Sequence, residues 1–120
     1  MSNTKYVVGL YRDPSRRSGP EGKFFEEVVA VVFDSAISHD AMDALFLGVH
    51  SAGFCSLSAE TGQVSCFGRS ESLDLDSVPA IDQYFVAKAL RLPVSGPAPL
   101  SAEQLRAAIL ENRKARGRRW

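Results

Sequence analysis

No stretch of this chain is both long and apolar enough to cross a bilayer: the longest unbroken hydrophobic run, Val28 to Phe33, has six residues, against the roughly 20 that a spanning helix needs. No membrane partner is expected. Met1 to Lys5 runs straight into strand-like sequence, without the basic start, apolar stretch and small-residue cleavage site of a secretory leader. A cytoplasmic protein of prokaryotic style is the expectation. The glycines form no Gly-x-Gly-x-x-Gly between a strand and a helix, and no Gly-Lys-Ser/Thr occurs, so a phosphate-cradling loop is not expected and no cofactor is assigned.

Cysteine is scarce, with only Cys55 and Cys66. If residues 59–62 form a four-residue loop, these two face each other across a hairpin; a two-residue turn at Thr61-Gly62 would set Leu57 opposite Cys66 instead. Cytosolic disulfides are rare, so inert strand thiols are the expectation. A metal site on the pair would need two further ligands that the neighbouring sequence does not supply. His39 or His50 beside a cysteine would make a nucleophile pair, but no local motif supports it.

Net charge is also missing, since 14 Lys+Arg balance 14 Asp+Glu. The balance is uneven along the chain. Residues 1–105 carry eight cations and thirteen anions, whereas residues 106–120 carry six cations and one anion. An acidic body therefore bears a basic end.

What is present is an ordinary globular composition, 45% hydrophobic and 23% charged, in 120 residues, enough for one core. The expected organisation is an α+β domain over 1–92, a Pro-rich linker over 93–100, and a C-terminal helix with a basic tail over 101–120. Lys5 to Arg12 and Lys23 to Phe33 read as strands, separated by the Pro-, Gly- and Ser-rich loop 13–22. Val28 to Phe33 is apolar on both faces, the pattern of a central strand buried on both sides or covered at one end.

Met42, Leu45, Phe46, Val49 and Gly53 fit an amphipathic helix beginning at His39, capped by Ser38 and stopped at Gly53. Phe54 to Ser58 and Gln63 to Leu73 read as a second hairpin. Ser77 and Pro79 open a helix with Ile81, Tyr84, Phe85, Lys88, Ala89 and Leu92 on its apolar face. Ser101 with Gln104 fits a capping box, and Leu100 with Leu105 a hydrophobic staple, so a helix is predicted from Ala102. The predicted architecture is a four-stranded antiparallel sheet in ββαββα order, with two helices on one face and an appended C-terminal helix.

Few constellations carry chemistry. On the predicted first helix His39, Asp43 and His50 share a stripe, but His50 lies about 16 Å along the axis from His39, too far for one ion. The acidic pairs Glu26-Glu27 and Asp74/Asp76 read as solvated strand or turn positions. Two basic features remain as candidate partner-binding sites: Arg12, Arg16 and Arg17 around the first loop, and Arg113, Lys114, Arg116, Arg118, Arg119 and Trp120 at the C-terminus. The function expected is that of a non-enzymatic interaction module, an adaptor, inhibitor or accessory protein acting on another protein. Nucleic-acid binding through the basic end is the alternative, and a small hydrolase or metal enzyme the third class. A homodimer is a further option, because exposed sheet edges invite pairing.

Overall fold

The computed structural model describes residues 4–18 and 23–117, excluding the side chains of 14, 16–18, 23–24 and 112–117. Its frame is the antiparallel hairpin of β1 (Thr4–Ser18) and β2 (Lys23–Phe33). The paired region reaches further than the sequence suggests: β1 runs on to Ser18, with Asp13, Arg17 and Ser18 of the expected loop paired to β2 and an irregularity between Asp13 and Arg17. On its other side β1 pairs with β3 (Gly48–Leu57), and β3 with β4 (Val64–Phe67), giving an antiparallel sheet of order β2-β1-β3-β4. The α+β class and the four-stranded antiparallel sheet are those the sequence predicts.

The central position of β1 explains its composition. Tyr6, Val7 and Val8 have no exposed surface and Leu10 has 1%, so both sides of this strand are covered. Tyr6, Val8 and Leu10 share a face with Val28, Ala30, Cys55 and Cys66. Against that face lie α1 (Pro79–Ala89), through Phe85 and Val86, and α2 (Ala102–Gly117), through Leu105. The helix predicted as an appendage is thus one of the two that cover the sheet.

The α2 start is built as its sequence implies. Ser101 N–H donates to Gln104 Oε1 at 2.8 Å, and Gln104 N–H donates back to Ser101 Oγ at 3.1 Å. Both orphan donors are satisfied reciprocally. At α1 the expectation about Ser77 fails: the N-cap is Val78, without a side-chain cap, and the Asp82 carboxylate accepts the Val78 N–H at 2.7 Å. The buried face of α1 is also turned from the predicted one, to Asp82, Phe85 and Val86.

The segment expected as the first amphipathic helix is different again. His39–Leu45 forms a 3-10 helix, and the chain then enters β3 at Gly48. Gly48 falls inside the predicted helix and disfavours it, and β1 needs hydrogen-bond partners on its second edge, which this segment supplies. His39, Asp43 and His50 accordingly share no helical stripe. The 3-10 segment covers the opposite sheet face, where Phe46 lies over Gly9 so closely that a Cβ there would come within 2.8 Å of its ring.

Strand β4 is shorter than predicted. At Gly68 φ is +76°, a left-handed conformation natural to glycine, and the chain leaves the sheet for the small ladder of β5 (Arg69–Ser70) and β6 (Leu75–Asp76).

Candidate functional site

Two places concentrate what this chain offers to chemistry or recognition. The first is a buried polar cluster around Asp82, whose surface exposure is 0%. Its carboxylate accepts a short hydrogen bond from Tyr6 Oη on β1, one from Ser51 Oγ on β3 at 2.5 Å, and the Val78 N–H at the head of α1. A buried carboxylate is costly unless hydrogen-bonded, and here three donors converge from different elements. The cluster braces helix to sheet.

His50 borders the same carboxylate, its Nδ1 lying 2.9 Å from Ser51 Oγ and 3.9 Å from Asp82 Oδ1. Burial pushes its pKa down, and the Asp82 charge partly opposes that shift. Serine, histidine and aspartate are therefore together, but the proton order is wrong for a nucleophile. Ser51 has one hydroxyl proton and gives it to Asp82, so Nδ1–H of His50 is the donor to Ser51 Oγ. A general base would have to accept that proton. Ser51 also has no exposed surface. The arrangement satisfies buried groups and does not activate one.

The two thiols adjoin this cluster. Cys55 and Cys66 are Cα partners across β3 and β4, the register implied by a four-residue loop, and both are free. Burial pushes the Cys55 thiol up to about 11; burial, followed by the charge of Asp82, pushes Cys66 up to about 12. Thiolate is the reacting species, so both should label slowly in the native protein at neutral pH and at ordinary rates in denaturant. A thiol-exchange time course checks this, and stoichiometric native labelling within seconds would contradict it.

His39, the second imidazole, is a core residue. It is buried, bonds the Gly53 carbonyl through Nε2 at 2.8 Å, and meets Phe33 and Phe54 edge-on at 5.7 Å each. Among the described residues no group of three or more His, Cys, Asp and Glu is placed to hold a metal ion, and no helix is long and apolar enough to cross a membrane. A cleft of about 540 Å³ between the 3-10 helix and Leu73 has Asp43 as its one ionisable lining side chain.

The second place is the outer edge of β2. The sequence pattern reads Val28 to Phe33 as a central strand, yet β2 is the terminal strand of the sheet. Backbone direction follows from neighbouring bonds. Ser58 N–H donates to the Gln63 carbonyl, and Cys66 N–H points away from β3 to Gln83 Oε1. Alternation then aims odd-numbered β3 groups at β1 and even-numbered β1 groups at β3, consistent with Leu10 accepting from Leu47 N–H. Odd-numbered β1 groups thus serve β2, through Val7 with Val31 and Gly9 with Val29. The peptide groups of Val28, Ala30 and Val32 face outward, and among the described residues no strand pairs with them.

Beside that edge runs a groove of about 260 Å³ lined by Glu27 to Ala30 and by Phe85, Lys88 and Ala89 of α1. Val29, Val31 and Phe33 on the opposite face are only partly covered. Proline, inward lysine and bulges are the usual devices that blunt an edge, and Val28 to Phe33 contains none.

Of the basic residues singled out in the sequence, Arg12 is the one whose side chain is described. Arg12 lies on β1 with its guanidinium 3.8 Å from Glu26, which also pairs with Arg106 of α2. The backbone of Arg16 and Arg17 belongs to β1, and that of Arg113, Lys114 and Arg116 to α2, while their side chains lie outside the described residues. Arg118, Arg119 and Trp120 lie wholly outside them. Sequence reading missed Asp82, although an aspartate in register with Phe85 and Val86 on one helical face was a visible signal. It also missed the β2 edge, because apolarity on both faces does not reveal which strand is outermost.

Comparison with known families, curated proteins and solved structures finds no match.

Proposed function

We propose that this chain is a small protein-interaction module of the cytoplasm, an adaptor, inhibitor or accessory protein that recognises its partner by accepting a strand on the outer edge of β2. The observation carrying this reading is the conjunction at that edge of outward peptide groups on Val28, Ala30 and Val32 with an apolar sequence and an adjoining groove. Edge pairing derives affinity from main-chain hydrogen bonds and specificity from pockets for alternate side chains. Here the incoming side chains on the helical side would meet Lys88 and Ala89, and those on the other side Val29 and Val31. Such recognition requires a surface and no reacting group, in keeping with a polar cluster whose donors are already engaged.

Paired baits test the reading. Wild type and Ala30→Pro, which deletes one outward N–H, are used to capture proteins from the native cell, and each captured protein is then reconstituted in purified form. The expected result is a partner held by wild type alone, with slowed amide exchange at Val28, Ala30 and Val32 in the complex. Equal capture by both baits overturns the proposal.

A further inference from the structure

The strand that best matches β2 is another β2. Val28-Val29-Ala30-Val31-Val32 reads identically in both directions about Ala30. When two antiparallel strands are related by a two-fold axis perpendicular to their sheet, each face continues into the same face of the copy. Directly opposed residues must then have the same parity, so the axis passes through a residue and not between two. An axis through Ala30 sets Ala30 opposite its own counterpart, Val28 opposite Val32 of the second copy, and Val29 opposite Val31. Every opposed pair in this span is apolar.

Backbone direction fits the same axis. The even-numbered peptide groups are the outward ones, so the Ala30–Ala30 and Val28–Val32 pairs are those that exchange both N–H···O=C bonds. The odd-numbered pairs are the closer, non-hydrogen-bonded ones, and they join Val29 to Val31 on the partly covered face. On the helical face, Ala30 and Val32 of the incoming strand approach the groove edged by Phe85, Lys88 and Ala89. Small and β-branched side chains suit that approach, whereas the charges at Glu26 and Glu27 fall outside the apolar span.

Taking the β2 edge as the recognition surface, as proposed above, we infer that its occupant is a second copy of this chain: a two-fold homodimer formed by antiparallel β2–β2 pairing centred on Ala30, with one continuous sheet running through both copies.

Sedimentation equilibrium of the full chain over a concentration series tests the association. The expected result is a rise from 13.1 kDa to twice that mass. Proline is tolerated on an edge strand where its missing N–H faced solvent, so Ala30→Pro should fold and weaken the dimer about 10–100-fold, each copy losing a hydrogen bond. Val31→Lys, which places a charge on the partly covered face and spares the backbone, is the second variant should the proline disturb folding. The register is read by mixing Val29→Cys with Val31→Cys chains and oxidising: the mixed disulfide should exceed either self-crosslink. Predominance of the Val29→Cys self-crosslink would move the axis and overturn the Ala30 register.

A wild type that stays monomeric up to about 100 µM overturns the homodimer; if the paired baits still differ, recognition at the edge survives with a different occupant. A dimer that neither Ala30→Pro nor Val31→Lys weakens, with both variants folded, overturns β2–β2 pairing, and the edge reading falls with it when the paired baits also capture equally.

Discussion

Asp82→Ala is expected to lower the unfolding free energy by about 3–4 kcal/mol and Tm by roughly 10–20 °C. The reason lies in what is left behind. With the carboxylate gone, Tyr6 Oη, Ser51 Oγ and the Val78 N–H lose their acceptor together, inside a region from which Tyr6, Ser51 and Asp82 expose no surface. An unsatisfied buried donor costs about 1–3 kcal/mol, and removing the cost of burying a charge offsets part of the total.

Tyr6→Phe and Ser51→Ala each take one donor away and leave the carboxylate the others, so each should cost less, about 1–2 kcal/mol. Combined with Asp82→Ala, either should add less than its own separate cost, because the groups share one network. Urea unfolding of the single and double variants measures all of this. A cost below about 1 kcal/mol for Asp82→Ala would mean that the cluster is not the brace between helix and sheet.

Leu105→Ala is the second large effect, at about 2–4 kcal/mol. Leu105 is 1% exposed and belongs to the same core cluster as Leu10, Val28 and Val86. Among the described side chains of α2 it is the buried one, assisted by half-buried Ile109 and by Leu100 ahead of the capping box. Truncating it removes much of what docks the helix, so cleavage by a broad-specificity protease within 93–101 should accelerate along with the loss of stability. Leu110, five positions along and 50% exposed, is the control: Leu110→Ala should stay within about 0.5 kcal/mol of wild type. Equal effects at the two positions would contradict the helix orientation.

Local chemistry made much of this fold legible in the sequence. Ser101 and Gln104 announced the start of α2 because a reciprocal cap is a local device, complete within four residues. The Lys23 to Phe33 strand was readable for the same reason, from β-branched composition, whereas the second hairpin left two registers open, of which the fold has the one that sets Cys55 opposite Cys66. Long-range demands overrode the rest. Met42, Leu45, Phe46 and Val49 do recur at a helical period, but the second edge of β1 required a strand, and Gly48 to Leu57 provides it.

The candidate sites were less visible. Asp82 acquires its meaning from Tyr6 and Ser51, 76 and 31 residues away, and nothing local signals that convergence. The apolar span of β2 was seen and assigned to a sheet interior. Its edge position turns that expectation into a functional one: the strand has the sequence of a central strand and lacks, among the described residues, the second neighbour of one.

Amide hydrogen exchange along β2 as a function of protein concentration tests that account at single-residue level. Val29 and Val31, bonded to β1, should remain protected throughout, while Val28, Ala30 and Val32 should exchange freely at high dilution and slow as concentration rises. Even-numbered amides that are as protected as their neighbours at the lowest concentration, or open at every concentration, would contradict it.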